Sequence, residues 1–309
     1  MSKILITGSS GLVGRNLLEV MQDKKEFEIL APRRAELDLL NISQIREYLH
    51  KNKPDFIVHC ASLVGGIAAN IANPTGFLVE NSYIGLNLFT QALECGVKNV
   101  LNLASSCMYP KAAKNPLKED SILSGELEPT NEGYALAKIL SARLCEYIST
   151  QFKLNYKTAI PCNLYGKYDK FDKRAHMIPA VIAKIHKAIV ENKSEVEIWG
   201  DGSARREFMS AKDLADFIIY ALNNFDKMPQ NLNVGIGRDY SIKEYYEIIA
   251  SVLDYKGSFI YDTSKPGGMK QKLVDISKLK NFGWNPKISL KDGITETYEY
   301  YKGVLNGRA

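Results

Sequence analysis

Short apolar runs alternate with longer amphipathic segments in the first half of the chain. The short runs are rich in β-branched residues, as in buried strands, and the longer segments repeat apolar residues at helical spacing. The predicted strands are Ile4–Ile6, Phe27–Leu30, Phe56–His59, Val100–Leu103 and Tyr156–Ile160. The predicted helices are Leu12–Met21, Ile42–His50, Phe77–Cys95 and Tyr134–Phe152. This alternation predicts an α/β fold with a Rossmann-type, doubly wound parallel sheet.

The regular alternation of predicted strands and helices ends after about Gly166, where proline, glycine and charged residues interrupt the pattern. Short strands are predicted at Val196–Trp199 and Phe259–Tyr261, and Asp213–Leu222 and Leu232–Val234 are expected to return to the main sheet. We therefore expect a main domain of residues 1–165 plus about 207–240. Residues of about 166–206 plus 241–309 would form a smaller C-terminal α/β lobe that binds the substrate.

A glycine-rich turn, with the sequence TGSSGLVG at 7–14, lies between the first predicted strand and the first predicted helix. Glycines there permit a tight turn and close approach of the backbone to a pyrophosphate, and the helix N-terminus offers free N–H groups to phosphates. An ordinary glycine-rich turn is the alternative. The flanking strand and helix favour a dinucleotide site. The residues expected to line it are Gly8, Ser10, Gly11, Leu12, Val13 and Gly14.

The end of the second predicted strand bears on the choice of cofactor. NAD sites carry an acidic residue there, which binds the ribose hydroxyls, but this strand leads into Arg33 and Arg34. Two guanidinium groups suit a 2′-phosphate, and no carboxylate is expected to compete for the position. The alternative is a solvated basic turn. The sequence favours NADP(H), with Asp38 and Leu39 near the adenine.

A catalytic set is predicted from Ser105, Tyr134 and Lys138. Tyr134 and Lys138 are four residues apart and share one helix face. A nearby ammonium would lower the pKa of the phenol, which could then protonate a carbonyl oxygen as hydride arrives at carbon. Ser105 follows a strand at the carboxyl edge of the sheet, where doubly wound folds bind ligands, with Ser106 as a less favoured substitute.

Cys107 and His176 are candidates for a second acid–base pair. In extended chain, residues two apart point the same way, so Cys107 would face the substrate together with Ser105. A thiolate beside a ketone could remove a proton from a flanking carbon, and an imidazole could return one to the opposite face. A small buried core residue is the alternative for Cys107, and a cap or packing residue for His176.

Composition and charge narrow the class of protein further. The chain of 309 residues has a net charge of +5 without a dense basic tract, so nucleic acid is not an expected partner. Neither a signal peptide nor a transmembrane helix is indicated, and we expect no membrane association. The five cysteines form no Cys-x-x-Cys pair, which indicates neither a disulfide framework nor a zinc site. A reduced, cytoplasmic enzyme without a bound metal is expected.

Several segments together closely resemble the GDP-L-fucose synthase family of extended short-chain dehydrogenase/reductases. The most telling are Val64–Ile67, Ser105–Pro110, Glu128–Glu132, Asn163–Gly166, Trp199–Gly200 and Arg206–Phe208. The resemblance implies that NADPH reduces the C4 ketone of GDP-4-keto-6-deoxymannose after epimerisation at C3 and C5. It assigns reduction to Ser105, Tyr134 and Lys138, and epimerisation to Cys107 as base and His176 as acid. Tyr134, Lys138 and His176 would also contact the cofactor.

The resemblance also suggests substrate-binding residues and an oligomeric state. Residues implied to bind the nucleotide-sugar are Asn163, Trp199, Arg206 and Lys272. A homodimer is implied, with Phe77–Cys95 and Tyr134–Phe152 packing across a two-fold axis. The guanine specificity comes only from the resemblance.

Three other functions stay open at this point. The chain departs from the family pattern at Ser9–Ser10, Leu63, Gly133, Lys167–Tyr168, Ser210–Ala211 and Gly267. A C4-reductase of a GDP-4-keto-heptose, with little or no epimerisation, is therefore the first alternative. A 4-epimerase or 4,6-dehydratase that retains NAD is another, although Arg33 and Arg34 argue against it. A non-catalytic dinucleotide-binding scaffold is the third.

Overall fold

The computed structural model describes residues 1–172, 175–264 and 269–307. Its strands are β1 (Ser2–Thr7), β2 (Phe27–Leu30), β3 (Phe56–His59), β4 (Asn99–Leu103), β5 (Asn155–Pro161), β6 (Asn163–Tyr165), β7 (Glu195–Trp199), β8 (Arg205–Arg206), β9 (Phe208–Ser210), β10 (Asn231–Val234), β11 (Tyr240–Ser241), β12 (Ser258–Asp262) and β13 (Gln271–Lys272). Its α-helices are α1 (Leu12–Met21), α2 (Ile42–Asn52), α3 (Ile67–Ala72), α4 (Pro74–Glu94), α5 (Glu132–Phe152), α6 (Met177–Val190), α7 (Ala211–Asn223), α8 (Ile242–Leu253), α9 (Ser277–Phe282) and α10 (Leu290–Leu305).

The main sheet has six parallel strands in the order β10-β5-β4-β3-β1-β2. From β1 the chain first adds β2 on one side and then returns to add β3 on the other. The crevice at the carboxyl ends of β1 and β3 is therefore the switch point at which doubly wound sheets bind ligands.

Helices cover both faces of this sheet. On one face α1 packs against α7, and on the other α4 packs against both α2 and α5. Each face has its own apolar core, one around Ile4, Leu17 and Phe217 and the other around Leu5 and Phe89. Alternate residues of β1 thus enter opposite cores, as expected for a strand buried on both sides.

These elements confirm the Rossmann-type α/β fold predicted from the sequence. Each strand and helix predicted for the first half is present, with ends that differ by no more than a few residues. The two segments expected to return to the sheet also do so, because α7 packs on α1 and β10 pairs with β5.

A third apolar core lies in the C-terminal part of the chain. Helices α6, α8 and α10 pack together over the parallel pair β7–β12, with Ile182, Ile198 and Tyr245 fully buried among them. The small sheet β11-β8-β13 lies beside this core and brings Arg206 and Lys272 into register as neighbours. Gly267, one of the departures from the family pattern, lies outside the described residues.

Candidate active site

The glycine-rich turn is compact because its glycines lie against backbone on two sides. Gly8 has a φ of +69°, and a Cβ there would lie 2.6 Å from the Ala61 backbone, which follows β3. A Cβ on Gly14 would lie 2.3 Å from the Gly8 carbonyl oxygen. Within the described residues, no side chain caps the N-terminus of α1 at Gly11. The close backbone and the free helix end are the features that a dinucleotide pyrophosphate requires.

The contacts made by side chains at the end of β2 agree only in part with those expected from the sequence. Ser9 lies in the turn and donates to the carbonyl oxygens of Ala31 and Pro32, so the turn and the end of β2 are joined. Arg33 and Arg34, the residues predicted to bind a 2′-phosphate, follow directly.

The expectation that no carboxylate competes there is wrong. The Arg34 guanidinium lies 3.6 Å from Asp38 and 3.4 Å from Glu80, and the Arg33 backbone N–H donates to Glu36. The sequence did not reveal these contacts because Asp38 reaches Arg34 across a turn and Glu80 comes from α4. The Arg34 side chain is still 68% exposed and accessible to a ligand. Leu39, which was expected near the adenine, is buried in the apolar core.

Ser105 and Tyr134 meet at the carboxyl edge of the sheet. Ser105 follows β4 and begins a 3-10 turn, Ser106–Met108, and its hydroxyl accepts a hydrogen bond from the Cys107 N–H. The phenol of Tyr134, in the first turn of α5, forms hydrogen bonds with Ser105 and with Ser62. The predicted Ser105–Tyr134 pair is therefore in contact in the structure.

Lys138 lies on the same face of α5 but does not act on Tyr134 as expected. Its ammonium donates to the Leu103 carbonyl oxygen at 3.0 Å and lies 5.7 Å from the centre of the Tyr134 ring. Burial lowers the pKa of Lys138 to about 8, against the charges of Cys60 and Cys107. Burial and the charge of Cys107 raise the pKa of Tyr134 above its ordinary value. The predicted lowering of the phenol pKa is thus wrong, because burial outweighs a distant ammonium.

Cys107 is the centre of a polar cluster. Asn131 Nδ2 donates to the sulfur at 3.3 Å, and Lys272 Nζ donates to it at 3.4 Å. Burial raises the pKa of the thiol, but the Lys272 charge and hydrogen bonds from Ser105, Lys272 and Asn131 lower it below the ordinary value. Cys107 lies in a 3-10 turn and not in extended chain. It nevertheless shares the site with Ser105, while Ser106 is buried away from it.

His176 immediately precedes α6, where its side chain makes no cap to the helix. Burial and the charges of Lys170 and Lys272 lower the pKa of the imidazole. The Lys272 charge thus acts on both His176 and Cys107. The sequence led us to expect an imidazole that titrates near neutrality, and in the structure burial and these two lysines favour its uncharged form.

The remaining predicted substrate residues lie in different settings. Asn163 donates to the Glu207 carbonyl oxygen, and Arg206 is the β8 neighbour of Lys272. Trp199, at the end of β7, is 60% exposed and donates to Glu197. Lys272, in contrast, is 8% exposed and points to the Cys107 sulfur.

Two residues of the site had no role in the sequence-based prediction. Ser62 follows β3, donates to Asn81 on α4 and binds the Tyr134 phenol. Asn131 binds the Cys107 sulfur. A polar residue just after β3 was a usable signal for Ser62. Asn131 was visible only as part of a family-like segment, since its contact with Cys107 is tertiary.

Neither a metal nor a membrane-spanning element is found in the described part of the chain. Across residues 1–172, 175–264 and 269–307, no three His, Cys, Asp or Glu side chains are grouped so that they could hold a metal ion. Within the same ranges, none of the helices has the length and apolar character that crossing a bilayer requires. All five cysteines are free thiols.

Comparisons with known proteins agree with this geometry. The chain is 60% identical over 306 residues to the GDP-L-colitose synthase of Yersinia pseudotuberculosis, covering 98% of this chain and 99% of that one. It is 49% identical over 300 residues to the GDP-L-fucose synthase of Azorhizobium caulinodans, covering 97% and 96%. A solved GDP-mannoheptose C4 reductase from Campylobacter jejuni with NADP bound gives a TM-score of 0.89 at 34% identity, covering 97% and 98%.

These relatives confirm the resemblance drawn from the sequence. The family model that matches is described as the NAD dependent epimerase/dehydratase family, and it spans residues 4–237. That range contains the glycine-rich turn, Ser105, Tyr134 and Lys138 and extends beyond β10. The chain belongs to the NAD dependent epimerase/dehydratase family.

Proposed function

We propose that this protein is an NADPH-dependent reductase of the C4 ketone of a GDP-linked 4-keto-6-deoxy-sugar, with coupled epimerisation beside the ketone. The main observation in support of the proposal is that Ser105, Tyr134 and Cys107 lie together in one site. A proton donor and a candidate base thus face the same ketone. The names of the 60% and 49% identical relatives support the substrate class.

Reduction requires a proton for the ketone oxygen. NADPH, when bound, supplies the hydride that the C4 carbon receives. Tyr134 supplies the proton, since its raised pKa keeps the phenol protonated at neutral pH. Ser105 and Ser62 hold the phenol oxygen in place by hydrogen bonds. Lys138, anchored on Leu103, contributes positive charge beneath the ring.

Epimerisation requires a base and an acid on opposite faces of the sugar. Cys107 removes a proton from a carbon beside the ketone, and the electron pair of the broken C–H bond moves to the ketone oxygen. His176 returns a proton to the other face. The anionic diphosphate of the substrate offsets the Lys170 and Lys272 charges that lower the pKa of His176, and so favours the protonated imidazole.

The sugar itself is the main choice to be tested. Colitose lacks the 3-hydroxyl group that fucose carries, so a 3-deoxy substrate has a configuration to invert only at C5. The 60% identical relative is named for colitose, and the Campylobacter structure for a heptose. The heptose, reduced with little or no epimerisation, therefore stays an alternative, and the name of the 60% identical relative adds the 3-deoxy sugar as another.

One experiment separates these substrates. Purified protein is incubated in deuterium oxide with NADPH and GDP-4-keto-6-deoxymannose, its 3-deoxy counterpart or a GDP-4-keto-heptose, and products are identified by NMR. Deuterium at C3 and C5 of a reduced hexose supports the proposed dual activity. Faster reduction of the 3-deoxy counterpart than of the other two sugars favours the 3-deoxy sugar, and reduction without deuterium favours a simple reductase. The proposal fails if none of the three is reduced.

Two other classes are distinguished by the cofactor. Protein that carries bound NAD and consumes no NADPH would be a 4-epimerase or 4,6-dehydratase. Protein that binds NADPH but reduces no keto-sugar would be a scaffold.

Arg33 and Arg34 are proposed to bind the 2′-phosphate of NADPH. Replacing both by alanine should lower the preference for NADPH over NADH by about tenfold or more, the value of a charge-assisted contact. Arg46→Ala, which removes an exposed guanidinium paired with Glu94, is the control. Unchanged preference in the double variant would exclude this role.

The remaining predictions concern the whole chain. We infer a homodimer formed by α4 and α5, because exposed apolar side chains follow both helices: Leu78, Val79, Tyr83, Leu136, Leu140 and Tyr147. Cofactor binding by residues 1–165 and 207–240, substrate binding by the other lobe, and a cytoplasmic location stay predictions.

A further inference from the structure

We propose that Lys272 and Asn131 hold the sulfur of Cys107 as a thiolate, and that Lys272 is the positioning residue for the base rather than a ligand of the substrate diphosphate. The inference rests on the proposed epimerisation, which it deepens. It concerns a residue that is 165 positions away from Cys107 in the chain.

Two donors from separate elements converge on one sulfur. Lys272 lies on β13, and Asn131 immediately precedes α5. Their nitrogen atoms lie 3.4 and 3.3 Å from Cys107 Sγ. A thiol is a weak acceptor, whereas a thiolate attracts both an ammonium and an amide N–H. The geometry is therefore the one that a negatively charged sulfur requires.

Burial strengthens this pairing. Lys272 is 8% exposed, and its neighbour in the small sheet, β8, fixes its backbone. A buried ammonium needs a partner of opposite charge, and the contact that the structure gives to its Nζ is Cys107 Sγ. An ammonium this close to the sulfur favours its charged form, and the lowered pKa of Cys107 agrees with that geometry.

The same pair acts on the other titratable groups of the site. The charge of Cys107 raises the pKa of both Tyr134 and Lys138, and the charge of Lys272 lowers that of His176. Burial is the largest cause of the raised pKa of Tyr134, and a thiolate at position 107 adds to it. The ion pair between Cys107 and Lys272 thus supplies the base for epimerisation and further favours the protonated form of Tyr134, the acid for reduction.

The pKa of the Cys107 thiol is measured directly in the test. Ligand-free protein is alkylated with iodoacetamide across a pH series, and the Cys107 peptide is quantified by mass spectrometry, which separates it from the other four cysteines. Lys272→Met should raise the midpoint of alkylation by about one pH unit or more, and slow alkylation at pH 7 about tenfold. Lys272→Arg should restore most of the wild-type midpoint.

Two further variants keep the test decisive. Lys272→Gln retains a hydrogen-bond donor without the charge, and it replaces Lys272→Met in the test if Lys272→Met does not fold. It should raise the midpoint of alkylation in the same way. Asn131→Ala should raise the midpoint by a smaller amount. Lys278→Met is the matched control, because Lys278 belongs to the same C-terminal segment but pairs with Glu119 and Asp120. It should alkylate like the wild type.

The outcomes separate this inference from the proposed function. An unchanged midpoint with a raised KM in Lys272→Met and Lys272→Gln would overturn the inference and assign Lys272 to the substrate. A raised midpoint with at least tenfold slower deuterium incorporation beside C4 would support it. If wild-type protein incorporates no deuterium from any keto-sugar, the epimerisation fails, while the ligand-free midpoint still decides the pairing.

Discussion

The phenol of Tyr134 bonds to two serine hydroxyl groups, and the Lys138 ammonium lies 5.7 Å from the centre of its ring. Its partners are Ser62 and Ser105, whereas Lys138 donates to a backbone carbonyl. Spacing along a helix predicts that Tyr134 and Lys138 share a face, and they do. It does not predict which atom the ammonium reaches, because that depends on the neighbouring strand β4.

Tyr134→Phe removes the proton donor and leaves the ring in place. Reduction should fall roughly 100- to 10,000-fold, the usual contribution of a positioned acid, while NADPH affinity changes little. Turnover is followed by loss of NADPH absorbance, and binding by NADPH fluorescence. Tyr147→Phe, on the exposed face of the same helix, is the control. Turnover of Tyr134→Phe equal to that of the wild type would exclude the assigned role.

Proton exchange beside the ketone should depend on pH in two opposite ways. The base must be deprotonated, so exchange should rise as pH rises through the lowered pKa of Cys107. The acid must be protonated, so exchange should fall as pH rises through the pKa of His176, which burial, Lys170 and Lys272 lower. A bell-shaped profile is therefore expected for deuterium incorporation measured by NMR.

The two limbs of that profile can be assigned by substitution. His176→Asn should lower exchange throughout and remove the fall at high pH. His186→Asn, at a histidine on α6 that bonds to Tyr298, should leave the profile unchanged. A falling limb that persists in His176→Asn would assign the acid to another group.

The contact between Lys272 and Cys107 was not predicted from the sequence. The sequence resemblance placed it with the substrate ligands, and nothing in the spacing connects it to Cys107. Their contact depends on β13 lying beside β8, a pairing of two residues in each strand. Contacts of this kind depend on the packing of distant segments, and single-sequence periodicity does not contain them.

Among the elements, the strands and helices of the first half of the chain were predicted, whereas the two-residue strands and the long helices α8 and α10 were not. The strand Phe27–Leu30 and the helix Leu12–Met21 match their predicted ends, because apolar runs and glycine or polar residues mark their limits. Strands of two residues, such as β8, β11 and β13, are too short to show an alternating pattern. These short strands carry Arg206 and Lys272, so the half of the site that they form was the less predictable one.

Glu207 connects these elements through a single buried carboxylate. It lies between β8 and β9 and is fully buried. One oxygen accepts from the backbone N–H groups of Ile236 and Gly237, and the other accepts from Val274, two residues after β13. The carboxylate thus holds the loop after β10 and the segment after Lys272 against the strand that precedes α7.

Glu207→Gln should therefore destabilise the protein. The amide has one acceptor oxygen, so at least one of the three buried N–H groups faces an NH₂ donor, at a cost of roughly 1–3 kcal/mol. Urea unfolding followed by circular dichroism measures the loss. Glu247→Gln, at an exposed position on α8, should change the unfolding free energy by less than about 0.5 kcal/mol. Equal stability of Glu207→Gln and wild type would contradict the connecting role.

At the scale of the whole molecule, the active site and the proposed dimer interface share two helices. The first turn of α5 carries Tyr134 toward the cofactor crevice, and its outer face carries Leu136, Leu140 and Tyr147. Positions 136, 140 and 147 form one stripe at helical spacing. Gly133 permits α5 to start close to α4, since a Cβ there would lie 2.8 Å from the Pro74 carbonyl oxygen. The proposed interface and the proposed catalytic tyrosine are thus positioned by the same helix packing.

A charge in the centre of that stripe should separate the protomers. Wild-type protein should show about twice the 34.6 kDa chain mass in sedimentation or light scattering. Leu140→Glu combined with Tyr147→Glu should give the chain mass, because burying two carboxylates without partners in an apolar interface is unfavourable. Val190→Glu, which adds a carboxylate at an exposed apolar position at the end of α6, should remain a dimer. A monomeric wild type would refute the interface, and a double variant that stays dimeric would place it on another face of the molecule.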